Sequence, residues 1–406
     1  MHTFPDSRKE PESVTYEPVL AQDLTSTLSS LKTAFVHDNY LQRGGAERVA
    51  ETIAKALPWA DLFSSAVLPE KISPYLRSRH IHDTFMRFLP GLREKYRLYF
   101  PLFPLAIRSL KLSDYDLVVT SCCGFGKMIR KRKDAIHICY CHTPTRWIWR
   151  FEDYVEREGF SPLTRAILRK VVRAMRRMDL KSAQSPNFFL ANSNNVAERI
   201  RRFYGRFSVV LHPPIECSRF SVSYYAEDYY VILSRLVSYK RIDLAIAACE
   251  KVKRKLMIIG DGPDRERLEV LGGEFTTFRG QLSDREVSVA LQNCRGLIFP
   301  GDEDFGMSPL EANATGKPCI AFGIGGARET VIDGETGVLF MSPTVDSLTE
   351  ALIRSESVKW NPERLRAHAE RFDTAVFTER LLALLLQMVG EGRSTNIKNS
   401  RATNLK

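Results

Sequence analysis

The sequence predicts an α/β fold of two domains, each a parallel sheet covered by helices on both faces, and three observations carry that prediction. Short continuous apolar runs recur at residues 33–37, 117–120, 136–141, 188–192, 230–233, 256–259, 296–300 and 318–322, with amphipathic helical stretches between many of them. Strands buried on both faces need no polar alternation, so such runs are the sequence form of a parallel sheet. The 406 residues suffice for two domains that each bury a full core. Paired prolines in Leu211-His212-Pro213-Pro214-Ile215 stiffen the chain where the first set of strands ends, which marks a hinge.

Taken in order, residues 1–30 are polar without clear periodicity and read as a flexible N-terminal extension. The first domain spans 31–213. It opens with the strand Thr33-Ala34-Phe35-Val36-His37, a loop holding Gly44 and Gly45, and a helix-period stretch over 46–57 that Pro58 ends. The second domain spans 214–372 and starts its own strand and helix units near Tyr229. Beyond it a helix over 373–390 is expected to pack back on the first domain, and the polar, basic residues 391–406 to form a flexible tail.

Composition narrows the function. With 44% hydrophobic and 26% charged residues the chain is neither disordered nor collagenous. Charges interrupt every apolar run before the roughly 18 to 20 residues that span a bilayer, and the N-terminus has no apolar core of a secretory signal. A cytoplasmic protein is expected. The eight cysteines lack framework spacing and contain no C-x-x-C, and Cys139 and Cys141 share one strand face with no loop to wrap an ion, so they read as buried thiols and no metal site is expected. The net charge of +11 needs an anionic partner. Between Leu163 and Lys181, Arg165, Arg169, Lys170, Arg173, Arg176 and Arg177 interleave with Ile167, Leu168, Val171, Val172 and Met175, and Asp179 is the only acid. That helix reads either as a solvated face over the core or as an attachment to an anionic membrane surface, such as the inner face of the plasma membrane. Nucleic-acid signatures are absent, so no nucleic-acid partner is expected.

Parallel sheets bind ligands outside the carboxyl ends of their strands. The segment Glu303-Asp304-Phe305-Gly306-Met307-Ser308-Pro309-Leu310-Glu311 follows such a strand and places an acid at each end. Ser308, Pro309 and Glu311 also fit a plain helix capping box. Arg235 and Lys240 follow the first strand of the second domain, where they are either surface cations or the guanidinium and ammonium that a diphosphate requires. Gly260-Asp261-Gly262-Pro263 is a tight turn or a close approach to ligand, and Gly44 and Gly45 allow the same two readings. Gly323-Ile324-Gly325-Gly326-Ala327-Arg328 lacks the third glycine of a dinucleotide fingerprint, and Gly316-Lys317-Pro318 is no P-loop. A nicotinamide dehydrogenase and a P-loop NTPase are therefore disfavoured. Asp114-Tyr115-Asp116 precedes its strand, at the wrong end for a ligand, whereas Asp302-Glu303-Asp304 is placed where it could hold a divalent ion.

Together, Arg235 and Lys240, Gly260-Asp261-Gly262-Pro263, the 303–311 segment, Gly325-Gly326 and Thr336-Gly337-Val338-Leu339 resemble the donor domain of GT-B retaining glycosyltransferases of family 4. In the first domain, Gly44-Gly45-Ala46-Glu47-Arg48, Tyr140-Cys141-His142-Thr143-Pro144-Thr145-Arg146 and Ala191-Asn192-Ser193 resemble the acceptor domain of the branch that includes O-antigen and exopolysaccharide mannosyltransferases. The resemblance implies two Rossmann-like domains facing across a cleft, and a hexosyl transfer from a nucleotide-sugar donor to a saccharide or lipid-linked acceptor. GDP-mannose is the favoured donor. A UDP-sugar donor for glucosyl, galactosyl or N-acetylhexosaminyl transfer and a sugar-nucleotide epimerase are the alternatives. It further implies Glu303 and His142 at the donor sugar, His142 being otherwise a buried strand-end histidine. Arg235, Lys240, Glu311, Gly262, Phe305, Gly306, Met307 and Ser308 would bind the donor, and Gly44 and Gly45 would form the acceptor or diphosphate loop. No cofactor is implied, the cations taking the place of a metal ion.

Overall fold

The computed structural model describes residues 21–96, 98–151 and 162–403; residues 1–20 of the expected extension and 404–406 of the expected tail lie outside the described residues. The first sheet has the order β3-β2-β1-β4-β5-β6-β7, from β1 (Thr33–His37), β2 (Asp61–Ser64), β3 (Ile81–His82), β4 (Leu117–Cys122), β5 (Ile136–Cys141), β6 (Phe188–Ala191) and β7 (Val209–Val210). The second has the order β10-β9-β8-β11-β12-β13, from β8 (Tyr229–Leu233), β9 (Lys255–Ile259), β10 (Thr276–Gly280), β11 (Gly296–Phe299), β12 (Cys319–Phe322) and β13 (Gly337–Phe340). All pairings in both sheets are parallel.

Strands β1, β4, β5, β11 and β12 are buried at every position, which is why continuous apolar runs announce them. Strand β10 is an edge strand with exposed alternate residues and gives no such run. In each sheet the strand order reverses beside the first strand, between β1 and β4 and between β8 and β11. Those are the switch points where open parallel sheets take ligands. The Asp114-Tyr115-Asp116 triplet lies at the opposite edge, where Asp116 accepts from Lys32 N at 3.0 Å and pairs with Arg132 at 2.6 Å.

The chain passes between the sheets twice, side by side: Ile215 N donates to Phe372 O at 2.9 Å and Thr374 N donates to Ile215 O at 3.0 Å. After the second passage a helix, Thr374–Thr403, lies on the first domain, where Phe377, Leu381, Leu385 and Met388 join the core of Ile53, Val119 and Tyr140. It continues through 391–403, where the sequence predicts a flexible tail; Gly392 sits so close to Ile136 that an added Cβ would be 3.0 Å from its Cδ1. Residues 21–29, predicted as part of the loose extension, form a helix against this one and bury Leu28 completely. Its polar composition conceals it, because the apolar partner is supplied from the other end of the chain. All eight cysteines are free thiols.

Candidate active site

In the second domain, the loops after β8 and β11 meet at the switch point. Gly301 permits the approach, since a Cβ there would lie 2.8 Å from Lys240 Cα and 3.0 Å from Tyr239 O. The Lys240 ammonium consequently forms an ion pair with the Glu303 carboxylate, both largely buried. Burial first, and then the guanidinium groups of Arg146 and Arg235, push Lys240 down to about 7, while Asp304 pulls the other way. Arg235 reaches across to the first domain, donating from Nη1 to Gln42 Oε1 at 2.9 Å.

Gly262 packs against the loop that carries Arg235 and Lys240. Its added Cβ would be 2.2 Å from Leu236 O, and that of Gly260 1.9 Å from Ser234 O. Both glycines therefore let the Asp261 turn pack backbone to backbone on the cation loop, which they hold in place. Gly325, with φ +57°, and Gly326 do the same for the acid loop, their Cβ positions lying 2.5 Å from Glu303 O and 2.1 Å from Phe305 Cα.

The helix Met307–Ala314 begins after Gly306, whose φ of 94° turns the chain and whose Cβ would meet Phe299 Cζ at 2.8 Å. Ser308 is thus inside the first turn and no Ser308–Glu311 capping box forms. Freed from that task, buried Glu311 faces Arg48 Nη1 of the first domain at 3.7 Å. Met307 packs in the cores of both domains, and its Sδ would be 3.1 Å from a Cβ on Gly45. The Phe305 ring is buried at the hinge, stacked on His212 at 5.3 Å between ring centroids and 5.8 Å from Phe372.

In the first domain, His142 follows β5. Its Nε2 lies 2.8 Å from Ser121 Oγ, which lies 3.0 Å from His37 Nδ1, so the hydroxyl links imidazoles from β1 and β5 through β4. Burial pushes His142 down to about 4, against a pull from Asp304, and burial with His142 nearby pushes His37 to about 3. Both rings are neutral. Gly44 caps the Gly45–Ala56 helix and donates its N–H to Glu47 Oε2 at 2.8 Å; burial raises Glu47 to about 7.

The acids flanking Glu303 are held by arginines of the first domain. Asp304 Oδ1 accepts from Arg146 Nη2 at 3.0 Å and Thr143 Oγ1 at 3.3 Å and pairs with Arg199. Asp302 Oδ2 accepts from Arg150 Nη1 at 2.6 Å. Burial opposes ionisation of Asp304, yet Arg146 and Arg199 outweigh it and hold the carboxyl below the usual range. Arg146 also lies over the Tyr239 ring, 4.8 Å from its centroid. Nearer the hinge, Glu329 accepts from Asn194 N at 2.9 Å and Asn195 N at 3.1 Å, at the start of the Asn194–Tyr204 helix, and lies 3.0 Å from His212 Nε2. A separate cavity of about 360 Å³ opens there, lined by His212, Glu329, His368, Arg371 and Arg380, and shares no residue with the Lys240–Glu303 cluster.

Sequence reasoning passes over Ser121, Arg150, Arg199 and the clasping role of Asp302 and Asp304. A serine inside an apolar strand signals Ser121; the arginine partners leave no local signal.

Residues 43–219 match the family described as Glycosyltransferase Family 4, and residues 218–372 the family described as Glycosyl transferases group 1. The GDP-mannose-dependent alpha-(1-6)-phosphatidylinositol monomannoside mannosyltransferase of Mycolicibacterium smegmatis is 34% identical over 143 residues, covering 30% of this chain and 37% of that protein. Glycogen synthase of Pseudomonas syringae pv. tomato is 32% identical over 159 residues, covering 36% and 32%. The chain spans about a third of the length of the curated relatives it matches. Among solved structures, Anabaena HepE with UDP and glucose superposes with a TM-score of 0.65 at 17% identity, covering 87% of this chain and 99% of that one. Sucrose-phosphate synthase of Thermosynechococcus elongatus gives 0.70 at 17% identity, covering 89% and 100%. With two parallel-sheet domains meeting at their switch points, the chain has the GT-B fold and carries the Glycosyltransferase Family 4 and Glycosyl transferases group 1 signatures in chain order over residues 43–372.

Proposed function

We propose that the protein is a retaining hexosyltransferase that moves mannose from GDP-mannose to a hydroxyl of a polysaccharide or lipid-linked saccharide at the cytoplasmic face of a membrane. The observation that carries this reading is the buried Lys240–Glu303 pair with Arg235 beside it, at the switch point of the second sheet. A diphosphate entering there exchanges its charge for that of Glu303 on the ammonium. The carboxylate then turns to the donor sugar, orienting its hydroxyls and favouring positive charge at the anomeric carbon. Glu311 accepts from the ribose hydroxyls, and neutral His142 donates or accepts one hydrogen bond to the sugar. The bond from the anomeric carbon to the diphosphate breaks, the acceptor oxygen attacks on the same face, and its proton leaves with the diphosphate.

Transfer proceeds without a divalent ion in this reading, because Asp302 and Asp304 are engaged by arginines and the cations meet the developing charge. A mannosyl donor is supported by the mycobacterial relative and by the Escherichia coli O-antigen chain mannosyltransferase C, 26% identical over 144 residues. The test is incubation with GDP-mannose, UDP-glucose and ADP-glucose, each with a chelator. Release of GDP from GDP-mannose, lost in Lys240→Ala, is expected. Conversion of a donor into a new sugar nucleotide, or no reaction with any of them, would contradict the proposal.

A further inference from the structure

We propose that the outward face of the Pro162–Ser182 helix, with the apolar residues protruding beside it, docks on a bilayer surface rich in anionic phospholipid. The helix carries one wide apolar arc, part buried and part exposed. Leu168, Val172 and Met175 face inward and join the core that contains Phe103, Ile107 and Phe125. Leu163, Ile167, Val171 and Met178 follow one another at helical spacing along the adjoining part of the arc and are 73%, 56%, 45% and 37% exposed. A helix that only covered a core would carry polar residues there.

Lys170, Arg173, Arg177 and Lys181 flank this stripe and are exposed. Asp179, the only acid of the 163–181 segment, is missing from the outward face. It is fully buried, paired with Lys127 at 2.6 Å and accepting from Trp149 Nε1 at 2.7 Å and Tyr204 Oη at 2.8 Å. The outward face thus combines apolar side chains with cations and carries no acid of its own helix. That pattern suits a membrane interface, where the apolar groups enter between head groups while Lys and Arg stems reach back to phosphate.

Neighbouring elements extend it. Leu98 and Leu105 are 74% and 60% exposed, yet the residues around them, Tyr99, Phe100, Leu102 and Phe103, pack in the same core as Leu168. No described helix is long and apolar enough to cross a membrane, so this face fits attachment to a surface. The inference deepens the reading of a membrane-side acceptor, and the donor chemistry is independent of it.

The experiment sediments the full chain with vesicles of phosphatidylcholine and with vesicles also carrying phosphatidylglycerol. Two variants accompany it, Ile167→Asp/Val171→Asp and Lys170→Glu/Arg173→Glu/Arg177→Glu. Wild type is expected to bind the anionic vesicles roughly tenfold or more tightly than the neutral ones, and less tightly as salt rises. Each variant loses roughly tenfold or more of that binding while keeping the wild-type melting temperature and donor hydrolysis. Absent binding by wild type, or unchanged binding by both variants, overturns the proposal. A dimer of the chain that only the Ile167→Asp/Val171→Asp variant dissolves overturns it too. Vesicle binding without hydrolysis of any sugar nucleotide supports the docking face and removes the transferase reading.

Discussion

Lys240 is held where burial and nearby guanidinium groups work against its charge, and in the proposed complex a diphosphate would reverse that balance. A group at about 7 when free that moves upward in the complex takes up a proton on binding, so nucleotide affinity is greatest below pH 7 and declines as pH rises above it. Calorimetry at pH 8 in buffers of differing ionisation heat reads the uptake; binding with no proton uptake would remove the ammonium from the diphosphate. Lys240→Ala is expected to weaken nucleotide binding by roughly ten- to a hundredfold, the range for a charged hydrogen bond. Glu303→Gln should instead lower kcat by roughly a hundredfold with little change in KM, because its contact matters most as the anomeric carbon becomes cationic. The neutral rings of His37 and His142 predict that any kcat inflection near pH 7 belongs to Lys240 or Glu47 and persists in His142→Asn. Its disappearance in that variant would assign the titration to His142.

At the scale of elements, the loops after β8 and β11 function as one unit because glycines let them touch. Gly301→Ala forces at least one of them to move, and about 1–3 kcal/mol of stability should be lost together with nucleotide affinity. Intact affinity in that variant would show that the loop contact does not position Lys240. The buried strands and the residues that follow them were legible in the sequence, since an apolar run marks each strand and its carboxyl end marks the ligand side. That is how Lys240, Glu303, Glu311 and His142 could be named. The packing of Gly262 on Leu236 and of the Phe305 ring on His212 was not legible, because neither partner is near in sequence. The Ser308 capping box was a local pattern overruled by the turn at Gly306.

Across the whole molecule, the acid loop of one domain is gripped by arginines of the other. Arg146 and Asp304 are 158 residues apart in the chain, so no window of sequence could pair them. The same limitation hid the contact between the Ala21–Ser29 and Thr374–Thr403 helices, which closes the first domain with both ends of the described chain. Asp304→Ala should open the cleft, raising the radius of gyration in solution scattering and the donor KM while leaving each domain folded. An unchanged radius and KM would show that the clasp does not set the domain arrangement. In the proposed reaction protein cations, in place of a metal ion, hold the diphosphate where the carboxyl ends of the two sheets face each other. Calorimetric titration of GDP into the full chain with a chelator present, wild type beside Lys240→Met, tests it most directly. Binding by wild type and its loss in the variant are predicted; binding that requires added magnesium, or that ignores the substitution, would contradict the account.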